Sequence, residues 1–287
     1  MKTINYFLQF SFIRFFFFLI NILPLDISIN LSTLIFRTAG KLSSADKTAI
    51  KNCKFVFPNL EDIKIRKIVD ESWNNLGITV CELIKFNKLL RKNKVVLSGL
   101  KNIENIKKNK QQAIFISIHQ SNWEFLVPML DRQDIRIGAI YRHINNFFLD
   151  KLILKIRKKT LKSHKNFYTP KGKKSAKEIL EGVINKKNIF LLVDQKDSAG
   201  TLINFFGKDV KTQTGFLKIA RKYNLKIIPM KNIRLPDNTL EITFEHPLDH
   251  NEDSISDNAK MLEINSIVER WIRENPENWF WQHKRFN

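Results

Sequence analysis

The chain of 287 residues is 43% hydrophobic and 27% charged, which excludes a disordered polymer and suffices for a sizeable core in one domain. Its 49 Lys and Arg against 28 Asp and Glu leave a net charge of +21. Two explanations stand side by side for that surplus: an anionic partner (nucleic acid, acidic lipid headgroups or an acidic carrier protein), or a coding bias toward Lys, Asn, Ile and Phe throughout the chain.

In chain order, the first segment is INYFLQFSFIRFFFFLINILP, residues 4–24, long enough to approach a hydrocarbon core that needs about 20 helical residues. Arg14 near its middle would cost roughly 2.5–3.5 kcal/mol at the bilayer centre unless it snorkels or pairs. Asn5 and Gln9 on one side, with Ser11, Arg14 and Asn21 on another, blur an interfacial pattern as well. A signal peptide lacks its small-x-small cleavage site before Pro24, and a buried helix of a soluble fold has a similar look. The expectation is a membrane-embedded helix over 1–24, whether spanning or interfacial.

Residues 25–110 read as a helical subdomain. DIKIRKIVDESWNNLGITVCELIKF within it carries apolar residues at spacings of three and four. Cys53 and Cys81 lack metal-ligand spacing and any reason to pair, so free buried thiols in a reducing compartment are expected.

From 111 to 287 strands alternate with helices. AIFISIH (113–119) reads as a buried strand, 121–131 as a helix that Pro128 kinks or shortens, and IRIGAIY as a second strand. FFLDKLILKIRKK and SAKEILEGVINKK read as helices, NIFLLVDQ as a strand, and KDSAGTLINFFGK as a loop. The helix TQTGFLKIARKY, the strands KIIPMKNIRL and LEITFEHPL, and a last helix from Ser256 to Glu274 complete the chain. The fold class expected is α/β: a mixed central sheet covered by helices, with an N-terminal membrane-anchoring helix and a helical subdomain, and 111–287 as the core.

Polar residues gather where strands end: His119 with Glu124, Tyr141 with Arg142, and Asp194 with Gln195. Open α/β sheets bind ligands beyond the carboxyl ends of their strands. No G-x-S-x-G elbow, Walker A loop or Rossmann glycine fingerprint is present. His119 is therefore best read as a general base, and Glu124 as the carboxylate that orients it. A plain capping box, Ser121 to Glu124, accounts for the same glutamate without chemistry.

HQSNWE resembles the His-four-residues-acid motif of membrane acyltransferases, in the form found in the lipid A biosynthesis acyltransferases, the lauroyl and myristoyl transferases of Gram-negative envelope synthesis. Further stretches resemble that family in the same order. They are AIYRHINNFFLD (with His143 where proline is usual), LLVDQKDSAGTLINFFGK, KTQTGFLKIARKYNLKIIPM and PENWFWQHKRFN (with Lys284 where arginine is usual).

The resemblance implies transfer of a fatty acyl chain from acyl carrier protein or coenzyme A to a hydroxyl of a lipid A precursor, with no metal and no cofactor beyond the acyl thioester. It implies a bacterial inner-membrane enzyme with its catalytic domain on the cytoplasmic face, meeting anionic lipids and no nucleic acid. His119 and Glu124 are then catalytic, and Asn122, Arg142, Asp194 and Gln195 bind substrate. Phe205, Phe206 and Gly207 could line an acyl channel, and the run 155–165 could offer a basic face. Two alternatives stay open: the same chemistry on another glycolipid or membrane lipid, and a non-enzymatic basic binding protein. The absence of any aromatic–basic nucleic-acid signature weakens the last.

Overall fold

The computed structural model describes residues 2–108, 111–171, 173–250 and 255–286. Five helices come first: α1 (Lys2–Ile22), α2 (Leu25–Lys41), α3 (Ser44–Val56), α4 (Asp62–Ile84) and α5 (Phe86–Arg91). Then come β1 (Val95–Ser98), α6 (Glu104–Lys107), β2 (Ala113–Ser117), α7 (Leu126–Arg132), β3 (Ile137–Tyr141), α8 (Phe147–Thr160) and β4 (Phe167–Pro170). The remainder is α9 (Lys173–Ile184), β5 (Asn188–Leu192), β6 (Thr201–Phe205), β7 (Lys208–Thr212), α10 (Gly215–Lys222), β8 (Lys226–Arg234), β9 (Leu240–Phe244) and α11 (Asp257–Glu274).

Seven strands form one mixed sheet in the order β1, β9, β8, β2, β5, β3, β4. Every neighbouring pair is parallel except β8 with β9. The central strand β2 is buried on both sides, as a parallel strand roofed by helices must be, which is why AIFIS reads as an unbroken apolar run. Its side chains alternate between two cores. Ile114, Ile116 and Ile118 face α10, α11 and the C-terminal tail, whereas Ala113 and Phe115 face α7 and β9. Helices α3 and α4 share the first core through Ala49, Cys53, Ile65, Val69 and Trp73, so the boundary expected at 110 is no break in packing.

Three sequence expectations are corrected. The region 25–110 also holds a strand, β1, which pairs with β9 at the sheet edge. The stretch read as a loop after Gln195 contains the β6–β7 hairpin. Phe206 (φ 54°) and Gly207 (φ 79°) form its two-residue turn, a geometry that needs positive φ at both positions. Phe205 packs in the core against Phe286, ring centroids 5.7 Å apart, so this trio lines no channel. Finally, the helix placed over 121–131 starts at Leu126 after a 3-10 turn, with Pro128 in its first turn where proline is tolerated. Both cysteines are free and buried, and burial pushes each thiol up to about 12.

Candidate active site

β2 and β5 lie side by side and parallel, and the ladder continues past their ends, with Val193 N–H donating to the Ser117 carbonyl (2.9 Å). Both chains thus leave the sheet together, bringing His119 against Asp194. The imidazole Nδ1 is 2.7 Å from Asp194 Oδ1, and the His119 backbone N–H donates to Oδ2 at 3.0 Å. A third N–H, Trp279 Nε1, donates to the same Oδ2 at 2.8 Å. Burial alone would raise the Asp194 carboxyl, but His119 and Trp279 hold it well below the usual carboxylate range. An ionised Asp194 fixes the proton on Nδ1 and leaves Nε2 with a lone pair. Gln195 Nε2 lies 3.2 Å from it, in position to donate.

The His119 side chain keeps 16% exposure and lines a cavity of about 940 Å³, while the Asp194 side chain has none and stands behind it. Buried Val127, Ala139 and Phe190 form the inner wall of the cavity. Exposed Arg142, Lys171, Lys196 and Lys284 stand at its rim, Lys171 in an ion pair with Asp197 (2.8 Å). The cavity therefore combines an apolar patch with polar lining from Glu124, Arg157, Tyr141 and Tyr168, and it is basic at the mouth.

The chain's last segment frames the His119 imidazole. Phe280 N–H donates to the His119 carbonyl (2.9 Å), and Ser121 N–H to the Asn278 carbonyl (2.8 Å). The rings of Trp123 and Phe280 stand 5.1 and 6.2 Å from the imidazole. His283 lines the same cavity, with Nδ1 on the Phe280 carbonyl (2.8 Å). Burial pulls its pKa down to about 4, so it is neutral at pH 7. The sequence marks this tail only through a resemblance, because nothing local in WFWQH announces contact with residue 119.

Glu124 shares the cavity but not the imidazole. Its carboxylate is gripped by both arms of the Arg157 guanidinium, Nε at 2.8 Å and Nη2 at 2.6 Å. Burial would lower the Arg157 pKa, but Glu124 lifts it above its ordinary value. The expected orienting carboxylate is thus corrected from Glu124 to Asp194. The turn aims Glu124 at α8, and the strand-end neighbour already occupies Nδ1. Arg157, read as part of a basic surface run, turns inward for the same reason.

The local turn also departs from the expected capping box. Ser121 sits at φ 45° and its hydroxyl donates to Asn278 Oδ1 (2.9 Å), while Asn122 takes the cap by accepting from Glu124 N–H (3.1 Å). The other arm of Asn122 donates to Glu82 (2.7 Å), itself paired with Arg234 (2.7 Å). Asn122 is fully buried and off the cavity, so its expected contact with substrate is corrected to a turn-forming one. Asp194 likewise reaches no cavity surface, whereas Gln195 and Arg142 do. Arg142 pairs with neither Asp150 nor Asp194: Asp150 is taken by His143 (2.6 Å) and by the Ile144 N–H (2.9 Å). Among the described residues no group of three or more His, Cys, Asp or Glu gathers as a metal site would require.

The family model described as bacterial lipid A biosynthesis acyltransferase matches residues 1–287. A lipid A biosynthesis lauroyltransferase of Escherichia coli (strain K12) is 23% identical over 254 residues, covering 84% of this chain and 78% of that protein. Among solved structures, the 1-acyl-sn-glycerophosphate (LPA) acyltransferase PlsC from Thermotoga maritima is similar at a TM-score of 0.41 and 15% identity, covering 89% of this chain and 99% of that one.

Proposed function

The chain belongs to the bacterial lipid A biosynthesis acyltransferase family, and on that premise we propose that it moves a fatty acyl group from acyl carrier protein (or coenzyme A) to a hydroxyl of a lipid A precursor. His119 Nε2 takes the proton of the acceptor hydroxyl as its oxygen attacks the thioester carbonyl carbon. Asp194 stabilises the imidazolium that forms. The tetrahedral oxyanion receives a hydrogen bond from the Gln195 amide. Collapse breaks the C–S bond, and the imidazolium returns its proton to the departing thiolate. No cofactor beyond the acyl thioester takes part. Arg142 and the neighbouring lysines meet phosphate or carrier-protein carboxylates at the mouth, and the acyl chain lies against Val127, Ala139 and Phe190. The protein works at the inner membrane, with this site on the cytoplasmic side and anionic lipids beside it.

The observation that carries the proposal is the His119–Asp194 pair, with Nδ1 tied to the carboxylate and Nε2, 3.2 Å from the Gln195 amide, turned to a cavity that has an apolar inner wall and a basic rim. The experiment is mass spectrometry of products from the purified protein given acyl carrier protein thioesters and a lipid A precursor. An ester of the precursor is expected with the natural chain and none with His119→Ala. Acylation of a different lipid alone would move the acceptor to another membrane lipid, and no acyl transfer to any lipid would overturn the proposal.

A further inference from the structure

α1 is apolar on two opposite faces and polar along the seams between them. Advancing about 100° per residue, Phe10, Ile13, Phe16, Phe17 and Ile20 turn toward the protein, Phe16 and Ile20 being the most buried. Ile4, Leu8, Phe12, Phe15, Phe18 and Ile22 turn away, each more than half exposed. Asn5 lies on one seam beside Gln9, whose Oε1 accepts from Asn146 (3.3 Å), and Thr3, Arg14 and Asn21 lie on the other. Ser11, on the outer face, returns its hydroxyl to the Phe7 carbonyl (3.0 Å), so it leaves that face apolar.

The helix is tied down near both ends. Toward its start, Asn146 at the N-cap of α8 donates to the Tyr6 carbonyl (2.8 Å), and Phe148 packs on Phe7 and Phe10 (5.7 and 5.5 Å). At its end, Lys85 donates to the Asn21 and Leu23 carbonyls (3.1 and 2.6 Å), and Ser28 to that of Ile20 (3.0 Å). Tyr6 and Asn21 are about 22 Å apart along the axis at 1.5 Å per residue, most of the ~30 Å hydrocarbon core. A spanning α1 would pull both attachment points across the bilayer. With them would go the Arg142–His143 rim of the cavity and the cations Lys85 and Lys88.

We propose that α1 lies in the plane of the membrane, its outer face sunk into one leaflet, and that it joins the cavity mouth to that leaflet. The proposal deepens the reading of a membrane-acting acyltransferase and rests on it for the surface, a phospholipid leaflet. The seams fit headgroup level, where Arg14 extends its charge while its guanidinium stays 6.0 Å from the Phe10 ring. α8, docked on α1, adds exposed Lys151, Lys155, Lys158 and Lys159 for anionic headgroups. Exposed Phe147 packs on Phe148 (4.0 Å), which itself packs on Phe7 and Phe10 of α1, and exposed Ile144 belongs to the cavity wall. A lipid chain can therefore pass from leaflet to cavity over apolar side chains.

The test uses the full chain added from outside to sealed vesicles of phosphatidylcholine and phosphatidylglycerol, with Thr3→Cys and Asn21→Cys as separate variants and the two buried natural cysteines left in place. An impermeant maleimide in the outer solution should label both positions. Labelling of only one until detergent is added would show a crossing helix and overturn the proposal. Failure of the protein to float with the vesicles would overturn it too, and assign the face to a protein partner. The variant Phe12→Ser/Phe15→Ser/Phe18→Ser should lose at least tenfold in vesicle partitioning with its melting temperature unchanged. Labelling needs no turnover, so absence of acyl transfer would remove the proposed chemistry without touching this orientation.

Discussion

The imidazole of residue 119 is useful only in one tautomer, and three donors on one carboxylate select it: the His119 ring, the His119 backbone and the Trp279 indole. His119→Ala should lower kcat by about 10²–10⁴ with folding intact, measured by acyl transfer beside circular dichroism. Asp194→Asn should cost up to about 10⁴, because an amide no longer selects the same tautomer. Trp279→Phe tests position rather than chemistry: kcat should fall while KM for the thioester stays nearly constant. His283 makes a prediction about acid. Its folded pKa, about 4, lies below the ordinary 6.5, so the unfolded chain binds the extra proton first. Its stabilising contribution is complete above pH 6.5 and is lost as the pH falls toward 4; His283→Gln should flatten the slope of melting temperature in that window. At this scale the sequence singled out His119 and the polar strand ends. It did not announce which carboxylate meets the imidazole, because Glu124 and Asp194 compete and only the register of β2 against β5 decides between them.

Among elements, the close contact of α2 with α4 depends on Gly77. A Cβ there would stand 2.8 Å from Thr33 Cα and 3.0 Å from the Ser32 carbonyl, both backbone atoms that cannot swing aside. Gly77→Ala should therefore destabilise by about 1–3 kcal/mol, the usual cost of overpacking, read as a lower midpoint in urea. The Glu82–Arg234 pair, with side chains 3% and 8% exposed, ties α4 to β8 and supports Asn122 in the turn after His119. Glu82→Ala leaves a buried guanidinium alone and should cost about 3–5 kcal/mol. Apolar periodicity disclosed most helices and the central strands. It was silent on β1, on β4 and on the β6–β7 hairpin. These are short, and the hairpin alternates exposed with buried positions around a Phe-Gly turn rather than an Asn-Gly one.

Across the whole molecule, the mixed sheet and its helical cover follow from alternating strand and helix patterns, and those were readable. The return of the C-terminal segment to the front of the sheet was not, because a contact between residues 120 and 279 leaves no local periodicity. That long return has a kinetic side. Asp194 lies 75 residues beyond His119, and Trp279 a further 85, so the reactive pair exists only after three remote segments have met. Closing such wide loops is slow compared with winding helices α1 to α4 from neighbouring residues. In refolding from denaturant, far-ultraviolet ellipticity should recover first, and quenching of Trp279 beside His283, whose rings sit 5.2 Å apart, should arrive later, together with activity.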